Sequence, residues 1–139
     1  MHDRMRGALG LALGIAVLSG ACSSGVAATA PPEVEGTTWR AVEIDGLPTL
    51  GKRPEMSIDG GRLRGDTGCN AVSAAVTLTE GQIDIGDVNS TLRLCQGEAG
   101  EVETRFLRAL VGATSVSFDE TGTLLLHGEG GVSARFAGN

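Results

Sequence analysis

Two cysteines, Cys69 and Cys95, stand 26 positions apart on either side of a segment patterned as a hairpin. Val72, Ala74, Val76 and Leu78 share one parity, Glu80-Gly81 is a turn signal, and Ile83 and Ile85 then alternate with polar groups, the period of half-buried strands. The body around them holds about one hundred residues, enough for one small domain, with a thin stability margin that a covalent staple would widen. Joining the two sulfurs closes a loop for which the chain-entropy relation gives about 3.5 kcal/mol. Two free thiols or a redox-active pair are the competing readings. The redox reading lacks both a Cys-x-x-Cys spacing and any lysine or histidine in the segments Gly68-Cys69-Asn70 and Thr91-Leu92-Arg93-Leu94-Cys95.

The third cysteine, Cys22, follows a different pattern. Arg4 and Arg6 precede the uncharged run Ala8–Leu18, and small residues follow. A run of about eleven residues is short of the roughly twenty needed to span a bilayer and fits a cleaved secretory signal. Leu18-Ser19-Gly20-Ala21-Cys22 resembles a bacterial lipobox in its permissive form, with Ser19 where a large aliphatic residue is usual. The resemblance implies cleavage between Ala21 and Cys22 and a diacylglyceryl group on the Cys22 thiol. Two acyl chains give the stable anchoring that one does not. An ordinary signal cleaved near Ala28 or Ala30 is the alternative. On the lipobox reading residues 1–21 are a signal peptide, 22–36 a flexible tether poor in large apolar groups, and 37–139 the domain. The protein then sits on the extracytoplasmic face of a cell membrane, where an even pair of cysteines favours a disulfide.

Charge and aromatic content narrow the partners. Loss of Asp3, Arg4 and Arg6 from 11 basic and 17 acidic residues leaves the mature chain near −7. An acidic chain without a basic cluster argues against nucleic acid and against electrostatic docking onto anionic lipid. Trp39, Phe106, Phe118 and Phe136 are the aromatic residues, and there is no tyrosine. The core is therefore expected to be aliphatic.

The rest of the body reads as strands around one helix. Strand patterns cover Thr38–Ile44, Met56–Ile58, Arg62–Arg64, Val116–Phe118, Leu124–Leu126 and Val132–Phe136, separated by turn signals such as Asp45-Gly46 and Asp59-Gly60-Gly61. Trp39 has the wrong parity to share a face with Val42 and Ile44, so it packs on a second layer or marks a bulge. Over residues 98–111, Val102, Phe106, Ala109 and Leu110 take the spacing of one helical face. Early glutamates and late arginines suit the helix dipole, Glu101–Arg105 is an i,i+4 pair, and Gly112 is placed to end the helix. The expected class is α+β: a mostly antiparallel, strongly curled β-sheet with one inserted α-helix.

No catalytic constellation emerges. Asp66-Thr67-Gly68 matches the aspartic-protease tripeptide, but that chemistry needs two facing carboxylates and there is no second copy. His127, the single histidine outside the signal, ends a Leu-rich strand without a nucleophile elbow. Asp84, Asp87 and Asn89 lie close together without calcium-loop spacing, and Gly65-x-x-Gly68 lacks a phosphate-loop lysine. No metal or cofactor is implied.

Laid out in order, the body resembles the META domain, the family of the bacterial heat-shock protein HslJ. The carrying residues are Gly36-Thr37-Thr38-Trp39, Ile44-Asp45-Gly46, Gly65-x-x-Gly68-Cys69-Asn70, Thr91-x-x-x-Cys95, Glu103-x-x-Phe106-Leu107-x-Ala109-Leu110 and Leu124/Leu126. The family's usual aromatic after Gly-Cys-Asn is replaced by Ala71. The resemblance implies an α+β domain, often a bacterial lipoprotein associated with envelope or heat stress, and brings no catalytic residues. The reading is a non-enzymatic, lipid-anchored envelope protein that contacts another envelope protein. A binding module for an apolar small molecule is the alternative, and a hydrolase using Asp66 or His127 is a third reading.

Overall fold

The structure, a computed structural model, describes residues 33–139; Ala21 and Cys22, with the signal and most of the tether, lie outside the described residues. The elements in chain order are β1 (Thr38–Ile44), β2 (Leu47–Pro48), β3 (Glu55–Asp59), β4 (Arg62–Asp66), β5 (Ala71–Thr79), β6 (Gln82–Ile85), β7 (Asn89–Ser90), α1 (Glu98–Val111), β8 (Ser115–Phe118), β9 (Leu124–Gly128) and β10 (Gly131–Gly138). Neighbouring strands pair antiparallel in the order β10-β9-β8-β6-β5-β4-β3-β1, and β10 returns to β1. The curled sheet is thus a closed barrel of eight strands, which removes the unpaired edges an open sheet presents. β2 folds back to pair antiparallel with the end of β1, and β7 pairs with Val72 and Ser73 of β5.

Local chemistry sets the hairpins. Asp45-Gly46, Gly60-Gly61 and Glu80-Gly81 each join two strands with positive φ at both positions, the turn geometry that matches strand twist. Alternation follows: Val72, Ala74 and Val76 of β5, Ile83 of β6, and Leu124 and Leu126 of β9 are buried. The parity conflict in β1 resolves as a bulge. Its register with β10 shifts between Ala41 and Glu43, and the extra residue puts Trp39, Ala41 and Ile44 all inside. Buried Thr49 stabilises the bulge by donating its hydroxyl to the Ala41 carbonyl at 2.6 Å and its N–H to that of Val42 at 3.0 Å.

The interior is aliphatic between aromatic plugs. Trp39 lies 5.7 Å from Phe118, centroid to centroid, and its indole N–H donates to the Val34 carbonyl at 2.9 Å. At the other end α1 seats Val102, Phe106, Ala109 and Leu110 in the core, with Phe106 edge-on to Phe136 at 6.3 Å. Glu101 and Arg105 pair at 3.2 Å on the outer side. The helix stops at Gly112, whose φ of −89° is not left-handed. The Thr114 N–H instead bonds the His127 carbonyl and starts the sheet again.

Two outcomes follow from this packing. Phe106→Ala is expected to lower unfolding free energy by about 3–5 kcal/mol in urea titration; a loss below about 1 kcal/mol would show that the helix is not seated. Asp119 receives the Thr121 hydroxyl at 2.7 Å and the Thr121 and Thr123 amides at 2.9 and 3.0 Å. These bonds, the Thr121 hydroxyl first and the Thr123 amide next, hold its carboxyl below the usual carboxylate range. A depressed carboxyl stabilises the fold above its unfolded value and stops doing so as pH falls through the folded one. NMR titration should place Asp119 below the usual carboxylate range, and Asp119→Ala should remove that acid-limb component.

Candidate functional site

Thr67 and Asn70 are fully buried polar residues, at 1% and 2% exposure, and burial without partners would be costly for both. Gly68, at φ 91°, turns the chain between them, and the Thr67 N–H bonds the Asn70 carbonyl at 2.8 Å. The Thr67 hydroxyl accepts the Asn70 and Cys69 amides at 2.8 and 3.2 Å and donates to the Glu103 carboxylate. The Asn70 side chain then reaches two further segments. Its carbonyl accepts the Arg93 N–H at 2.7 Å and the Thr91 hydroxyl at 2.8 Å; its NH₂ donates to the Arg93 carbonyl and to Glu103, both at 2.9 Å. One side-chain amide is thereby saturated: two donors and two acceptor sites all used.

The disulfide Cys69–Cys95, with Cα atoms 6.3 Å apart, ties the same segments covalently. Among the described residues, ligand-type atoms of Cys69, Cys95 and Glu103 come within 4.8 Å of one another, but the two sulfurs are bonded to each other and Glu103 already accepts two hydrogen bonds. Gly100 lets the helix approach this strap, because a Cβ there would collide with the Cys95 carbonyl.

The outward consequence lies in residues 91–95. Thr91 is fixed through its N–H to Ala71 at 3.0 Å, Arg93 through both backbone groups to Asn70, and Cys95 through sulfur. The alternate residues, Leu92 and Leu94, are 97% and 83% exposed. They are held out on a backbone that cannot fold them inward.

The other sequence candidates do not assemble. Asp66 is exposed and its carboxylate accepts the Gly68 amide at 2.6 Å, closing its own turn. His127 sits on β9, well around the barrel from β4, and its Nε2 bonds Ser117 at 2.8 Å. Among the described residues no carboxylate bonds the imidazole, so this dyad lacks the third group of a triad. Asn89 donates to the Asp87 carbonyl at 3.3 Å, a local turn contact. Glu103 enters the sequence reading as an early helix glutamate and as part of the family resemblance, not as a partner for a buried turn. Its position three residues before Phe106 and next to Val102, on the buried side of an amphipathic pattern, is the signal that it needed an internal partner.

The family model described as META domain matches residues 32–139. The chain belongs to the META domain family. Two solved structures share the fold. An NMR structure of a protein from Burkholderia xenovorans is 20% identical with a TM-score of 0.60, covering 76% of this chain and 83% of that one. A second NMR structure is 17% identical, also with a TM-score of 0.60, covering 78% and 94%. No curated protein matches. In this META domain the Gly-Cys-Asn, Thr-x-x-x-Cys and helix segments, far apart in sequence, meet at the one node beneath α1.

Asn70→Ala should cost about 2–4 kcal/mol, since it strands the Arg93 backbone groups and Glu103. Cys69→Ser with Cys95→Ser should cost about 3.5 kcal/mol. Chemical denaturation with and without reductant measures both; reductant sensitivity in the double serine variant would refute the disulfide as its origin.

Proposed function

We propose that this META protein is a lipid-anchored, extracytoplasmic envelope protein that acts by contact with another envelope protein and not by catalysis. The observation that carries the reading is the pair Leu92 and Leu94, almost fully solvent-exposed on a backbone pinned at Arg93 and Cys95. Exposed leucines on a mobile loop mean little; on a fixed segment they form a surface feature of defined shape. The polar residues that look like chemistry in the sequence, Asp66, Thr67, Asn70 and Glu103, are engaged in bonds within the fold. The lipobox-like segment ending at Cys22 supplies the anchor, and an envelope-stress role agrees with the heat-shock member the sequence resembles.

The apolar-ligand reading draws less support. Trp39, Met56, Phe106 and Phe136 fill the barrel. Two grooves, of about 590 and 580 Å³, open to solvent and are lined in good part by glycine and polar residues.

Intact mass of the membrane-extracted protein should show a chain beginning at Cys22 and carrying acyl groups; a start beyond Cys22 ends the lipoprotein reading. Crosslinking in intact cells, followed by purification, should enrich a membrane-associated protein over a lipid-anchored control. Equal recovery from both would remove the contact role.

A further inference from the structure

Among the described residues Arg40, Arg105 and Arg135 each hold a glutamate, whereas Arg62 and Arg64, like Arg53, Arg93 and Arg108, make no ion pair. They flank fully buried Leu63 on β4, so both project from the outer face. Their cross-strand neighbours are Asp59 and Ala75 for Arg62, and Ser57 and Ser73 for Arg64. With Ser73, Asn89, Ser90 and Thr91 they line an open groove of about 580 Å³. In a chain of net negative charge these are the two charged residues of the groove's lining, bordered by hydroxyl and amide groups, with Asp59 across from Arg62 and Asp66 next along β4. The groove runs along β7 directly into the strap that bears Leu92 and Leu94.

We propose that groove and strap together receive an extended acidic segment of a protein partner, its carboxylates over Arg62 and Arg64 and its apolar side chains against Leu92 and Leu94. The inference rests on the contact role and names its surface. Arginine pairs with carboxylates through two parallel hydrogen bonds; the Ser73 hydroxyl and the second Asn89 N–H can donate to a passing backbone, and the Ser90 hydroxyl, which donates to the Thr91 carbonyl at 2.9 Å, can accept from one. From Asn89 to Leu94 the extended chain covers about 17 Å, the length of a six-residue strand.

The charge of the whole chain argues for a protein and against the bilayer. A surface of anionic lipid meets an entire face of this net negative chain and is repelled by it, whereas a single acidic segment of a protein can seat its carboxylates on the two arginines alone.

The test uses the full mature lipoprotein and two labelled eight-residue peptides, one alternating glutamate with leucine, the other lysine with leucine. Fluorescence anisotropy should show tighter binding of the glutamate peptide. Binding should fall at least about tenfold in R62E/R64E, with a gain for the lysine peptide, and about tenfold in L92S/L94S. These residues are exposed, and unchanged thermal melting of the variants confirms the fold. In vesicles containing brominated lipid, Leu92→Trp should shift to the blue with the glutamate peptide and stay unquenched by the lipid. Equal affinity for both peptides, no binding of either, indifference to charge reversal, or lipid quenching each overturns the proposal. If R62E/R64E/L92S/L94S still enriches the crosslinked protein that wild type captures, the surface is wrong and the contact role stands. If wild type captures none, the contact role falls and this surface with it.

Discussion

A single side-chain amide, that of Asn70, holds together three parts of the chain that local structure would leave apart. The tight turn at 67–70, the extended strap at 91–95 and the second turn of α1 all bond to it or to its immediate neighbour Thr67. The disulfide joins the first two of these parts again, and the two devices act on different states. A covalent link acts mainly by removing conformations from the unfolded chain. The amide network is the reverse: it contributes only in the native arrangement and penalises near misses, because a buried polar group without its partner is worse than none. Together they let a small barrel with scarce aromatics fix where its one helix sits.

The node also explains why strand-level features were readable in the sequence and the site was not. Hairpin turns at Asp45-Gly46, Gly60-Gly61 and Glu80-Gly81 and the alternation of Val72, Ala74 and Val76 depend on residues within a few positions of one another, and they are legible for that reason. The helix announces itself through Val102, Phe106, Ala109 and Leu110. Even the bulge left a trace, in the parity of Trp39 against Ile44. Barrel closure left none, because the β1–β10 pairing joins segments about ninety positions apart and nothing local in either strand names the other. Glu103 was visible as a residue and invisible as a ligand of Thr67 and Asn70, since its partners lie more than thirty positions upstream.

Membership in the META family therefore speaks first about architecture. The residues that carry the resemblance, Cys69, Asn70, Thr91, Cys95 and Glu103, are engaged with one another, and their chemistry is used in holding the helix to the barrel. A shared fold places no activity on a surface, and neither NMR structure is similar enough in sequence to place one. On the proposed contact role, recognition falls to side chains the node leaves free, chiefly the arginines of β4 and the leucines of the strap.

Those two facts are physically linked. Binding orders side chains and loops at an entropic cost of about 0.5–1.5 kcal/mol for each immobilised rotamer-rich group, beyond the loss of overall motion. A loop carrying Leu92 and Leu94 would pay the backbone part of that cost on every encounter if it were free. Asn70 on one side and the disulfide on the other have already met that backbone part in folding, which leaves only side-chain ordering and overall motion to offset. If the proposed contact role holds, the device that stabilises the domain also presets its exposed apolar edge, and loosening the node should weaken docking even where no docking residue is touched.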